Sequence, residues 1–123
     1  MRRLFPLALA ILPMVALGLF ACGDDDDAGG ARRLVQIVQQ DAGCTPSRIE
    51  LKVGERVSFA VVNESKDDQE IEGEDGTKLE ELLVPAGKTR VVNFNAPDKA
   101  GSGTIKCYRP GGQTTMIELA FTD

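Results

Sequence analysis

Cys44, in Gly-Cys-Thr-Pro, and Cys107, in Ile-Lys-Cys-Tyr-Arg-Pro-Gly-Gly, are the residues of this 123-residue chain best equipped for chemistry, and the chain contains no histidine. Neutral imidazole is the commonest protein ligand for copper and zinc and the commonest general base near pH 7. Without it, a metal site must be built from sulfur and oxygen, and side-chain catalysis lacks its usual proton acceptor. No serine or cysteine nucleophile has a partner in view. Gly111-Gly112 follows a strand pattern with no helix after it, so it does not form a phosphate cradle. The residues therefore point to a binding protein rather than an enzyme.

The elements around this pair begin with a segment that is not part of the fold. Residues 1–21 read as an export signal: Arg2 and Arg3 form a basic start, and Leu4 to Phe20 form an uncharged apolar run interrupted by Pro6 and Pro13. Leu19-Phe20-Ala21-Cys22 resembles a bacterial lipoprotein cleavage motif, which implies lipidation of Cys22 and anchoring in membrane lipid. Cleavage leaves 12 basic against 19 acidic residues, a net charge of −7. No basic patch supports nucleic-acid binding. Residues 22–33, with Asp24 to Asp27 and a Gly-Gly pair, read as a solvated, disordered tether.

Residues 34–123 form one small domain whose core is marginal without help. The pattern is strand throughout. Ile49, Leu51 and Val53 alternate with Arg48, Glu50 and Lys52, and Val57, Phe59 and Val61 alternate with Ser58 and Ala60. Val92 with Phe94, Ile105 with Cys107, and Ile117, Leu119 and Phe121 repeat the alternation. Gly54 closes a strand, Asp75-Gly76 has the hairpin signature, and Pro85-Ala86-Gly87 suits a turn with proline in second place. Seven to eight short strands predict an all-β, antiparallel Greek-key β-sandwich or barrel. The lack of tryptophan argues against an aromatic carbohydrate platform.

The order of Val35-Gln-Ile-Val, Cys44-Thr-Pro, Ile49-Glu-Leu-Lys-Val-Gly, Val57 to Asn63, Val84-Pro-Ala-Gly-Lys, and Cys107 before a Pro-Gly loop and Met116 resembles a cupredoxin over nearly the whole domain. In blue-copper members that loop supplies a cysteine, a histidine five residues on and a methionine four further. Cys107 and Met116 keep the spacing, but Gly112 takes the histidine position. The second histidine falls near Gln69 and is also missing, so a His-His-Cys copper site is excluded on ligand count.

A narrower resemblance is to the cupredoxin-like domain of EfeO-type periplasmic iron-uptake proteins. It is carried by Cys44 with Pro46, Asn63 with Ser65, Glu70 with Glu72, and Cys107. The resemblance implies a copper or iron site made by Cys44, Glu70 and Cys107, with Glu72 a weaker ligand and Met116 a soft axial one. It also implies an accessory role in metal uptake, by iron oxidation or delivery. Larger members continue into a metallopeptidase-like helical domain. This chain ends at Asp123, which points to a separate metal-transport or metallopeptidase-like polypeptide as partner.

The same two cysteines support another reading. With Cys22 acylated, two thiols remain in an oxidising compartment, and that arithmetic predicts a Cys44–Cys107 disulfide locking a metal-free interaction module. If the thiols are free, donor softness ranks copper above iron. Asp67, Asp68, Glu70, Glu72, Glu74 and Asp75 are expected to make one end of the domain negative, either as a lure for cations or as a solvated charged face.

Overall fold

The computed structural model describes residues 31–123. The expected export signal over residues 1–21, the expected lipidation site Cys22 and residues 22–30 of the expected tether lie outside the described residues. Nine strands occur among the described residues: β1 (Arg33–Gln40), β2 (Gly43–Thr45), β3 (Arg48–Lys52), β4 (Arg56–Asn63), β5 (Gln69–Glu74), β6 (Leu82–Val84), β7 (Thr89–Asn95), β8 (Gly101–Tyr108) and β9 (Thr114–Thr122). They form a four-stranded sheet, β2-β1-β4-β7, and a five-stranded sheet, β3-β9-β8-β5-β6. β1 pairs with β4, and β3 with β9, in parallel; every other pairing is antiparallel. The described residues contain no helix, and the architecture is the all-β sandwich that the alternation predicts, consistent with Greek-key connectivity.

Period-two alternation sends one set of side chains between the sheets. Along β4, Val57, Phe59 and Val61 are fully buried while Ser58, Ala60 and Val62 lie outward. Ile49 and Leu51 on β3, Ile105 and Cys107 on β8, and Ile117, Leu119 and Phe121 on β9 face them from the other sheet. Phe59, Phe94 and Phe121 stack across the interior with ring centroids 5.6 and 6.3 Å apart. Each fully buried side chain of this size stabilises the fold by about 1.5–3 kcal/mol.

Nine strands rather than seven or eight result from β2 and β6, each three residues long, and from β5, whose Gln-Glu-Ile-Glu-Gly-Glu sequence looks like a charged loop. Only Ile71 and Gln69 of β5 are buried; its glutamates are outward or at the edge, so the strand is amphipathic with a one-residue apolar signal. β1 begins at Arg33, one residue before the expected domain start, and Arg32 donates from Nη1 to the Val57 and Phe94 carbonyls. The Asp75-Gly76 turn forms as expected: both residues have positive φ, and Thr77 N–H donates to the Glu74 carbonyl. The Pro85 turn is shifted by one position. Lys88 N–H donates to the Pro85 carbonyl, so proline stands first and Gly87, at φ 73°, supplies the left-handed third residue.

Candidate functional site

The two cysteines meet at the end of the sandwich where β1 turns into β2 and β8 turns into β9. Cys44 reaches that place through β2, which pairs with β1 so that Gln39 lies opposite Cys44 and Gln40 opposite Gly43. Gly43, at φ 133°, lies against β9: a Cβ there would stand 2.4 Å from Thr115 Cγ2. The close approach lets Cys44 N–H donate to Thr115 Oγ1 at 3.0 Å. Cys107 comes from the middle sheet region, in register with Ile71 on β5 and Thr115 on β9, and points inward. The result is a disulfide between Cys44 and Cys107, with a Cα–Cα separation of 6.2 Å, joining the two sheets across 63 residues of chain. Cys107 is 2% exposed, whereas Cys44 is only half-buried.

A network of polar side chains connects the strands beside β1 at this end. Asn63 uses its whole carboxamide: Nδ2 donates to the Asp67 and Val84 carbonyls, and Oδ1 accepts from Ser65 N–H and Oγ–H. Gln69 donates from Nε2 to the Gln40 carbonyl at 3.1 Å and to Ser65 Oγ at 2.9 Å. The Asn-x-Ser element is thus a buried turn that ties β4 to β5 and β6. A glycan has no access to Asn63, which is 1% exposed.

The sheet separates the other expected ligands from the sulfurs. Ile71 is the partner of Cys107, so Glu70 and Glu72, its chain neighbours, project from the opposite face of β5. Met116 pairs with Lys106 rather than with Cys107 and is 51% exposed on that same outer face. The expected set of Cys44, Glu70 and Cys107, with Glu72 and Met116 in reserve, is therefore not brought together in this structure: two members form a disulfide and three lie across the sheet. Among the described residues no group of three or more His, Cys, Asp or Glu is arranged to hold a metal ion.

The outer-face residues have their own partners. Lys106 Nζ bridges Glu72 and Glu74, the latter at 3.1 Å, and lies 4.6 Å from the Tyr108 ring centroid. The hydrogen bonds that Lys106 donates to Glu72 and then to Glu74 raise its pKa. Tyr108 O–H donates to Glu81 at 2.5 Å, and this bond, with burial and nearby Glu70, pushes the phenol above its ordinary range. The acidic run does not gather at one end as expected. Asp67 pairs with Arg109 at 2.9 Å, Asp68 accepts from Ala86 N–H, and Asp75 sits in the turn at the far end of β5. An extended strand spaces successive same-face residues by nearly 7 Å, roughly twice the rise per residue, which draws the charge out into a line.

The blue-copper donor set does not fit these residues. Gln69, near the place of one histidine, is committed to backbone and Ser65, and Gly112, in the place of the other, lies in a turn in which its N–H donates to the Arg109 carbonyl. The sulfur that such a site needs is bonded to Cys44.

Three residues of this end carry no motif in the sequence. Gly43 and Thr115 have no periodic signal, because their roles arise from one contact between β2 and β9. Gln39 sits in an apolar position of the β1 alternation after Val35 and Ile37, and it is fully buried. A glutamine on the inward phase of a strand is the signal that could have found it.

Residues 10–116 match the Cupredoxin-like domain family. No curated protein matches the chain in sequence. Among solved structures, the chain is similar to auracyanin A, a "blue" copper protein of Chloroflexus aurantiacus, with 16% identity, a TM-score of 0.59, and coverage of 75% of this chain and all of that one. It is also similar to dithionite-reduced auracyanin of Roseiflexus castenholzii, at 12% identity and TM-score 0.56 over 76% of this chain and all of that one. A copper-binding protein in its apo form matches at 20% identity and TM-score 0.55, over 75% of this chain and 91% of that one. At these identities the likeness concerns the fold, and it agrees with the two-sheet topology and with the family match over most of the sequence: the chain belongs to the Cupredoxin-like domain family.

Proposed function

We propose that the chain is an exported, lipid-anchored protein of the EfeO-type branch of cupredoxin-like domains. It serves as a binding accessory in metal handling, and the redox state of Cys44 and Cys107 decides whether a metal is held. The observation that carries this reading is the meeting of the two cysteines at one end of a cupredoxin-like sandwich, with Cys44 half-buried and so within reach of a reductant. Reduced, the pair would offer two thiolates, a soft donor set that suits Cu(I). Iron favours oxygen donors, and Glu70 and Glu72 stand on the other face of the sheet, so copper is the better-matched cargo of the two. The chain acts as a binding protein and not as an enzyme. A separate membrane transporter or metallopeptidase-like polypeptide would receive the ion, and acylated Cys22 would hold the chain at the membrane.

The test is a Cu(I) titration against a chromogenic chelator, using exported protein with Cys22→Ser in oxidised and thiol-reduced forms. One Cu(I) per reduced chain, none for the oxidised chain, and none for Cys44→Ser or Cys107→Ser are expected. A reduced parent that competes no better than Cys44→Ser would sink the metal reading. Incorporation of labelled fatty acid that disappears in Cys22→Ser tests the anchor.

A second reading, a metal-free disulfide-locked interaction module, is favoured by the outer surface of the four-stranded sheet. Leu34, Gln36 and Val38 on β1, Ser58, Ala60 and Val62 on β4, and Thr89, Val91 and Asn93 on β7 form three uncharged rows on a chain rich in charge. On that reading the cysteine variants lose stability and nothing else.

A further inference from the structure

Gln39 is buried to 0% exposure, and neither its Nε2 nor its Oε1 has a hydrogen-bond partner; no other described residue carries such an atom. Its place is set by register. Cys44 on β2 and Asn63 on β4 are its cross-strand partners, and the side chains of all three point between the sheets. Cross-strand partners on one face have Cβ atoms about 4.5–5.5 Å apart, so the carboxamide stands beside the disulfide. Asn63 offers it nothing, because both polar atoms of that side chain are already engaged.

A buried amide without partners is destabilising, and groups of this kind call for a functional explanation. The disulfide cannot satisfy the amide: it has no proton to donate, and its sulfurs are poor acceptors. The reduced pair can, because a thiol donates and accepts weakly and a thiolate accepts well from an N–H. We infer that Gln39 is a positioning residue that biases the Cys44–Cys107 couple toward the dithiol, making this bond an exchangeable redox switch rather than a permanent cross-link. The inference deepens the reading in which the reduced pair binds metal, and rests on it for its purpose, but it is measurable without metal.

The exchange is ordinary thiol chemistry. A thiolate of a small-molecule thiol such as glutathione attacks Cys44 Sγ, on the less buried residue of the pair. The new S–S bond forms as the Cys44–Cys107 bond breaks, and Cys107 leaves with the electron pair as a thiolate that accepts from Gln39 Nε2–H. A second thiolate attacks the external sulfur of the mixed disulfide and releases Cys44. In sum, two external thiols become one disulfide, and their two electrons and two protons pass to the pair.

The experiment equilibrates the exported chain carrying Cys22→Ser, and the same chain with Gln39→Met or Gln39→Leu, in glutathione buffers of graded ratio with no metal present. Acid quenching, alkylation and intact mass give the reduced fraction. The expected result is a roughly tenfold shift toward the disulfide in both variants, equivalent to a reduction potential about 30 mV more negative. The oxidised variants should also resist urea better than the oxidised parent. Equal potentials within twofold would overturn the inference, and so would a substitution that changes the stability of both redox forms alike. A measurement on the unsubstituted side chain guards against variants that do not fold: the Gln39 carboxamide protons should move downfield on reduction, and unmoved resonances overturn the proposal. Cu(I) uptake is read separately, so an intact potential shift with no uptake would sink the metal reading and leave this one standing.

Discussion

Removing the cross-link should cost this domain a large part of its margin of stability. In the double variant Cys44→Ala/Cys107→Ala, the unfolded chain regains the freedom of a loop spanning 63 residues, which the chain-entropy relation values at about 4 kcal/mol. Cys107 is buried among Ile71, Ile105 and Ile117, so truncation there adds roughly 1 kcal/mol for lost packing. The sum, about 5 kcal/mol, is a large part of the 5–15 kcal/mol typical of a whole domain. For a domain of this size each kcal/mol moves the melting temperature by roughly 4–8 °C, so a fall on the order of 20–40 °C is expected. Urea unfolding of the oxidised parent, the thiol-reduced parent and the double variant provides the assay, and the m-value should rise when the unfolded chain is no longer constrained. Reducing the parent should cost less than the double substitution. Reduction gives Gln39 its partners and recovers about 1–3 kcal/mol, whereas alanines leave it orphaned. A double variant within about 1 kcal/mol of the oxidised parent would refute the entropic argument, and a reduced parent less stable than the double variant would refute the account of Gln39.

Gly43→Ala should destabilise by about 2–4 kcal/mol, since its Cβ would meet Thr115 Cγ2 at 2.4 Å and its φ is 133°; adding Thr115→Ser, which removes that methyl, should recover part of the loss in urea melts. Asn63→Ala should cost about 2–4 kcal/mol, because it strands the Val84 carbonyl and the Ser65 groups that the carboxamide serves. A loss below about 0.5 kcal/mol would show that water replaces the amide freely. Glu55 is held below its ordinary carboxylate range by the hydrogen bond from Arg33. A depressed carboxylate contributes stability that is present above its unfolded pKa, near 4.5, and lost as pH falls through the folded value. The melting-temperature gap between the parent and Arg33→Gln should therefore be open at pH 7 and close toward pH 3, with an amplitude under about 1 kcal/mol for so exposed a pair. A gap that persists at pH 3 would assign the effect to the Arg33 bond with the Glu50 carbonyl instead.

Much of the core could be read directly. Val57, Phe59 and Val61, and Ile117, Leu119 and Phe121, alternate cleanly because each strand has one wet and one dry side. β5 could not, since a strand with Ile71 as its lone apolar inward residue looks like a charged loop until β8 and β6 pair with it. The same strand explains the divided candidate site. Motif spacing records that Glu70, Glu72 and Cys107 occur in order, but not that the register sets Cys107 opposite Ile71, one residue out of phase with both glutamates.

Composition and periodicity alone determined that this chain has no histidine and carries an all-β domain, and they singled out two cysteines as its candidate chemistry, because those properties belong to residues and to their immediate neighbours. The tertiary structure decided what the cysteines meet. Cross-strand register is a property of pairs distant in sequence, and a one-residue phase moves a side chain through the sheet. That phase places Cys44 against Cys107, seats an unpartnered Gln39 beside them, and turns Glu70, Glu72 and Met116 to the other side.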